Sequence, residues 1–137
     1  MRRAILDTGP LVAFFNPRDQ HNAWALETSR GLAAPLVTCE AVLTEAYHLL
    51  RHVPRGRAAL RRWIDLGRVT TPLRFGEESG EIMRLLDAYA DQPMDFADAC
   101  VVRLAEILGL PVFTTDVRDF HVYRIHQREA IPLIVPV

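Results

Sequence analysis

Short apolar runs recur along this chain, and each is followed by a stretch with helical spacing. Ala4-Ile5-Leu6, Leu36-Val37, Val69-Thr70-Thr71 and Pro111-Val112-Phe113-Thr114-Thr115 read as strands. They are too short and too uniformly apolar for a sheet with one wet face, so they read as strands buried on both sides. Between them lie helical patterns. Pro10 suits the first turn of a helix over Leu11 to Phe15. Asp19 is placed to cap a helix over Ala23 to Arg30, and Thr38 to cap one running to about His52. "PRGRAALRRWIDLG" is a helix closed by Gly67, and a further helix runs from about Glu77 to Ala90. Asp95 caps "FADACVVRLAEILG", which Gly109 stops. The tail from Val122 reads as short-range β or irregular structure. Strands alternating with helices predict a three-layer α/β fold, a central parallel sheet with helices on both faces.

A chain of 137 residues is expected to form one domain, residues 1–137, with its own core. Apolar residues make up 50% and charged residues 24%, a globular balance. The net charge of −1 creates no global field for an anionic partner, so an anionic substrate must be met by a local patch or a metal ion. Every basic side chain other than histidine is arginine. The missing lysine excludes a Walker phosphate loop, and also haloacid-dehalogenase-like phosphatases and response-regulator receivers, whose sites use one. Cys39 and Cys100 match no zinc or redox spacing and read as buried small apolar residues, which points to a reducing cytoplasm. Arg2 and Arg3 precede an apolar run, but Asp7 interrupts it and no small-residue cleavage site follows, so it does not read as a signal peptide. No apolar stretch is long enough to span a membrane.

Asp7-Thr8-Gly9 is the tripeptide with which aspartic proteases present a carboxylate. Those enzymes need it inside an all-β fold facing a second copy, whereas here Gly9 leads into Pro10 and a helix. Topology supplies another role. In an open α/β sheet, ligands bind beyond the carboxyl ends of the strands. Asp7 and Asp116 stand at such ends. Asp98, in the first turn of the helix that feeds the strand at Val112, reaches the same crevice. Glu45 lies about two turns into its helix, where its longer side chain is needed. Four acids distant in sequence are therefore expected to converge. Close together they repel one another, and a divalent cation resolves the repulsion. Oxygen-only ligands favour Mg²⁺ or Mn²⁺. Such an ion suits phosphodiester hydrolysis, because it offsets phosphate charge and orients an attacking water.

With these motifs in order, the sequence resembles the PIN-domain ribonucleases, and among them the VapC-type toxins of bacterial toxin–antitoxin pairs. "ILDTGPLVAFF" matches the first acidic motif, and "DQHNAWA" a segment where such toxins carry an Asp, a His and a small residue. "TCEAVLTEAYHLL" matches the helix bearing the family's glutamate, at Glu45. "MDFADACVVRLAE" matches the helix with its third acid, at Asp98, and "VFTTDVRDF" its last motif, with Thr114 as the hydroxyl and Asp116 as the acid. The resemblance implies an Mg²⁺- or Mn²⁺-dependent endoribonuclease that leaves 5′-phosphate and 3′-hydroxyl ends. It also implies an RNA substrate, frequent homodimers and a cognate antitoxin. Asp7 and Asp98 are the expected main metal ligands, with Glu45 and Asp116 binding directly or through water. A housekeeping RNA-processing nuclease and a non-catalytic RNA- or partner-binding module are the alternatives.

Each residue also has a plainer role. Asp7 and Asp116 could be turn residues, and Asp119 competes with Asp116. Glu45 could lie on a solvated face, and Asp98 could complement a helix dipole. Asp95 is more often a cap than a ligand. Thr8 and Thr114 are expected to hydrogen-bond neighbouring backbone or carboxylates. Glu45 and His48 have the Glu-x-x-His spacing of di-iron bundles, but no second copy exists. His48 and His52 lack the glutamate of a zinc-protease helix. His21, His121 and His126 have no ligand spacing and read as structural or surface residues. Arg51, Arg55, Arg57, Arg61, Arg62 and Arg68 form either a solvated face or an RNA-backbone surface.

Overall fold

The computed structural model describes residues 1–137. Five two-residue strands form one parallel sheet: β1 (Ile5–Leu6), β2 (Leu36–Val37), β3 (Val69–Thr70), β4 (Val112–Phe113) and a late strand, β7 (Leu133–Ile134). Their order is β3-β2-β1-β4-β7. Ile5 pairs with Val37 on one side and with Val112 on the other. All three are fully buried, as strands covered on both faces must be. The helices are α1 (Thr8–Phe15), α2 (Asn22–Arg30), α3 (Glu40–Leu49), α4 (Gly56–Asp65), α5 (Phe75–Ala88), α6 (Phe96–Leu108) and α7 (Val117–Val122). They flank the sheet as a three-layer α/β fold. The tail is more ordered than the sequence suggests. It forms a hairpin of β5 (Arg124–Ile125) and β6 (Glu129–Ala130) before contributing β7 to the sheet edge.

The central helix is α6, with nine of its thirteen residues buried. Asp95 Oδ1 accepts the Asp98 N–H at 2.8 Å and Asp98 Oδ2 accepts the Asp95 N–H at 3.4 Å, a reciprocal capping box. Gly109 ends the helix at φ +67°, the left-handed conformation that glycine adopts without a Cβ penalty. Further along the same helix, the Glu106 carboxylate is almost fully enclosed. Arg84 and Arg103 each reach it at 3.2 Å, and the His126 N–H donates to it at 2.8 Å. That last bond holds the tip of the β5–β6 hairpin, where His126 and Gln127 both have positive φ without being glycine.

Two expected caps are displaced. Thr38 does not cap α3; its hydroxyl donates to the Leu6 carbonyl at 2.7 Å, tying β2 to β1, and Cys39 takes the cap position. Asp19 accepts the His21 N–H at 2.8 Å in the preceding turn, and α2 starts at Asn22. The α3 helix ends at Leu49, and one 3-10 turn carries the chain to His52. Helix α5 begins at Phe75, two residues before the expected start.

Candidate active site

The strand order makes the site. The chain runs outward from β1 through β2 to β3, then returns to place β4 on the other side of β1. Connections diverge between β1 and β4, and at such a switch point a crevice opens beyond the strand ends. Asp7 follows β1 and Asp116 follows β4, each also preceding a helix. Gly9 is required here by proximity, because a Cβ at this position would collide with the Thr115 hydroxyl. Asp98 enters from the first turn of α6, and Glu45 from the middle of α3.

These residues line an open cavity of about 700 Å³. Asp7, Asp19, Glu45, Asp95, Asp98, Asp116 and Asp119 all face it, and no arginine does. None of these acids forms an ion pair; the chain's ion pairs use Glu27, Glu77, Glu78, Glu81 and Glu106 instead. The four acids singled out by sequence therefore meet. Asp98, Asp116 and Asp119 are the tightest group, with one carboxylate oxygen from each lying within 4.8 Å of the others. Asp119 joins Asp116 there rather than replacing it, its N–H donating to Asp116 Oδ1 at 3.2 Å. Asp7 stands beside this trio, not within it.

Hydrogen bonds fix the carboxylates. The Thr114 hydroxyl, fully buried, donates to Asp7 Oδ2 at 2.7 Å and accepts the Asp116 N–H at 2.9 Å. The Tyr123 hydroxyl donates to Asp98 Oδ2 at 2.8 Å. Tyr123 is itself fully buried, with Phe120 and Tyr89 set edge-on to its ring. Thr8 is buried too, but its hydroxyl has no partner.

Burial raises the cost of charge in this cluster. It pushes Asp7 up to about 6; the Thr114 and Thr8 hydrogen bonds pull the other way, and Asp116 and Glu45 add repulsion. Asp98 is pushed up to about 7 by burial and then by Asp95, against the pull of the Tyr123 hydrogen bond. Asp119 is raised by burial and by Asp116. Burial and then the Asp98 contact push the Tyr123 hydroxyl up as well, so it stays a donor. A hard divalent cation fits this donor set: seven carboxylates facing one cavity, no arginine to balance them, His21 the one basic side chain on the wall, and one orphaned hydroxyl at Thr8.

Sequence reasoning missed Tyr123, which no acidic motif flags, and Thr115 and Gln20 on the cavity wall. His21, expected to be structural or at the surface, occupies the N-cap position of α2 without a side-chain cap bond and also lines the cavity. The arginines are not one surface. Arg57 stacks over the Tyr47 ring at 4.1 Å and donates to the Tyr47 carbonyl at 2.7 Å, and Arg51 donates to the His48 carbonyl at 2.9 Å. Arg55 is held at φ 62° before α4. Arg61 and Arg62 on α4 are exposed, with neither an ion pair nor a side-chain hydrogen bond.

Residues 4–125 match the PIN domain family. The chain belongs to that family. Among solved structures, this PIN domain is similar to VapC20 of Mycobacterium tuberculosis, a sarcin-ricin loop cleaving toxin. The two are 22% identical, the match covers 82% of this chain and 91% of that one, and the TM-score is 0.67. At that identity the likeness concerns the fold. No curated protein sequence matches the chain significantly. No helix of this PIN domain is long and apolar enough to cross a membrane.

Proposed function

We propose that this PIN domain is a metal-dependent endoribonuclease and the toxin of a toxin–antitoxin pair. The observation that carries the reading is the cluster of unpaired acids at the switch point between β1 and β4, in a chain of this family. The fold's likeness to VapC20, a sarcin-ricin loop cleaving toxin, supports the toxin role. A bound Mg²⁺ or Mn²⁺ would offset phosphate charge and lower the pKa of water. Asp98, Asp116 and Asp119 would hold the ion, with Asp7 bordering it and Glu45 on the α3 side orienting the attacking water. Asp95 serves as the cap that sets the α6 entry. Thr114 and Tyr123 each fix one carboxylate oxygen, which keeps the reacting groups in one arrangement. The whole of residues 1–137 acts as one domain, in the cytoplasm, as a homodimer, and a cognate antitoxin restrains it.

The test is cleavage of RNA by the purified protein with Mn²⁺ and with EDTA, beside Asp7→Asn and Asp98→Asn. Cleavage should require the metal and vanish in both variants without loss of fold. Wild-type rates in both variants at excess Mn²⁺ would remove the assignment. Mapping new 5′ ends across cellular RNA after induced expression would then identify the target.

A further inference from the structure

Two half-exposed aromatic rings pair near the acidic cavity. Phe75 opens α5 and Phe96 opens α6, and they are 46% and 47% exposed. Their centroids lie 5.7 Å apart with planes tilted by 41°. Neither ring is among the buried residues that form the hydrophobic core. Phe96 walls a shallow groove with Ala41, Thr44, Glu45 and Ala97. Asp95 and Glu45 line both this groove and the acidic cavity, so the groove starts at the cavity's rim. The small side chains of Ala41 and Ala97 leave room beside the ring.

The groove also leads onward. Thr44 lines a second groove with Tyr47 and Arg61, and Arg61 a third with Arg62. Acidic cavity, aromatic ledge and unpaired guanidinium groups thus follow one another across α3 onto α4. Each step suits a different part of a single-stranded nucleic acid. Phosphates are repelled by Glu45 and Asp95 at the ledge and attracted by Arg61 and Arg62 beyond it. An unpaired base has an apolar face and no charge, and aromatic rings stack on such faces whatever the base.

We propose that Phe96, backed by Phe75, is the platform on which an unpaired base of the RNA stacks next to the cleavage site, with Arg61 and Arg62 taking phosphates further along the strand. This rests on the RNA-cleavage reading above. The rival occupant is a second copy of this chain.

The test measures binding of a labelled short single-stranded RNA by anisotropy, with Mn²⁺ present and Asp7→Asn as the silent background. Phe96→Ala should weaken binding about 5- to 150-fold, the range for one lost stack, and Phe96→Tyr should restore it. Phe96→Leu should bind poorly despite staying apolar. Abasic substitution scanned along the RNA should cost affinity at one position with Phe96 present and nothing further at that position in Phe96→Ala. Unchanged binding by Phe96→Ala, or additive losses at every abasic position, overturns the platform. A fall in oligomeric mass in Phe96→Ala with unchanged RNA affinity also overturns it and gives the ledge to the second copy. The nuclease reading is judged separately: if the wild-type protein neither cleaves nor binds RNA, that reading fails and the platform falls with it. If the wild type cleaves and Phe96→Ala is indifferent, only the platform fails.

Discussion

The Thr114 hydroxyl donates to Asp7 Oδ2 at 2.7 Å while accepting the Asp116 N–H at 2.9 Å, so one side chain joins the carboxylate after β1 to the backbone after β4. All of this is buried or partly buried, where an unmade hydrogen bond costs about 1–3 kcal/mol. Thr114→Val keeps the shape and removes both bonds. It should lower the melting temperature by several degrees, on the order of 3 to 10 °C. Thr114→Ser should recover most of the loss. Identical melting curves for the Val variant and wild type would show that the hydroxyl does not hold the two strand ends.

Tyr123 acts on the other anchored acid. Its hydroxyl and the Asp95 N–H both engage Asp98 Oδ2, which leaves Oδ1 free for a ligand. Tyr123→Phe releases one of those restraints without changing the packing against Phe120 and Tyr89. Mn²⁺ affinity, read by electron paramagnetic resonance titration, should fall about 5-fold, as one net hydrogen bond of roughly 1 kcal/mol implies. Cleavage should return toward wild type at saturating Mn²⁺. A loss of rate that excess metal leaves unchanged would contradict this positioning role.

The layer order and the convergence of acids are legible in the sequence because both depend on local signals. Apolar runs ending in Asp7 and Asp116 mark strand ends, and Asp95 and Gly109 mark the limits of α6. Long-range hydrogen bonds leave no such trace. Thr38 looks like a helix cap from its neighbours, yet its hydroxyl is taken by Leu6, thirty-two residues away. Tyr123 lies in a segment with no acidic motif and becomes relevant only when the fold brings it to Asp98. The tail hid β7 because its two-residue strand gains its meaning from pairing with β4. The arginines form one cluster in sequence, but Arg57 is committed to Tyr47 and Arg61 is not.

Burial makes the metal-free protein sensitive to pH. Asp7 rises to about 6 and Asp98 to about 7 in the folded state, against about 3.9 for an unfolded aspartate. With a raised folded pKa, the folded state holds protons that the unfolded chain has already released. Their contribution to stability is therefore full below about pH 4 and is lost as pH rises through 6 to 7. In EDTA the protein should melt higher at pH 5.5 than at pH 8, before general acid unfolding takes over at lower pH. The double variant Asp7→Asn/Asp98→Asn should flatten that slope. A wild-type melting temperature that climbs steadily from pH 5.5 to 8 would reverse the sign and exclude the mechanism.

Glu106 tests a different part of the fold. Its carboxylate accepts from Arg84, Arg103 and the His126 N–H, and so holds α5, α6 and the hairpin together. Glu106→Gln keeps an acceptor for His126 but removes the charge. Both arginines keep another partner, Glu81 or Glu78, so the loss should be moderate, roughly 1–3 kcal/mol. Denaturant unfolding measures it. Mn²⁺ affinity should be unchanged, because Glu106 lies outside the acidic cavity. A stable variant with impaired metal binding would link the buried network to the site instead.

Metal should stabilise the fold through the same acids. Folding gathers Asp7, Glu45, Asp98, Asp116 and Asp119 around one cavity whose wall carries no arginine, which costs free energy in the absence of a cation. A cation that binds only the folded protein stabilises it by about 2.7 kcal/mol at a hundredfold excess over its dissociation constant. For a domain of this size, that raises the melting temperature on the order of 5 to 15 °C. MnCl₂ and MgCl₂ should both produce the rise. NaCl at matched ionic strength should not, because screening weakens repulsion without coordinating oxygen. Asp98→Asn should separate repulsion from coordination. It removes one negative charge with little change in volume, and Asn can still accept the Tyr123 hydroxyl. In EDTA this variant should melt higher than wild type, and with MnCl₂ it should gain less. Thermal melts of both proteins in each salt decide the matter. If the variant and the wild type gain equally from MnCl₂, the ion that stabilises the protein is not held by Asp98, and the cavity between β1 and β4 is not its site.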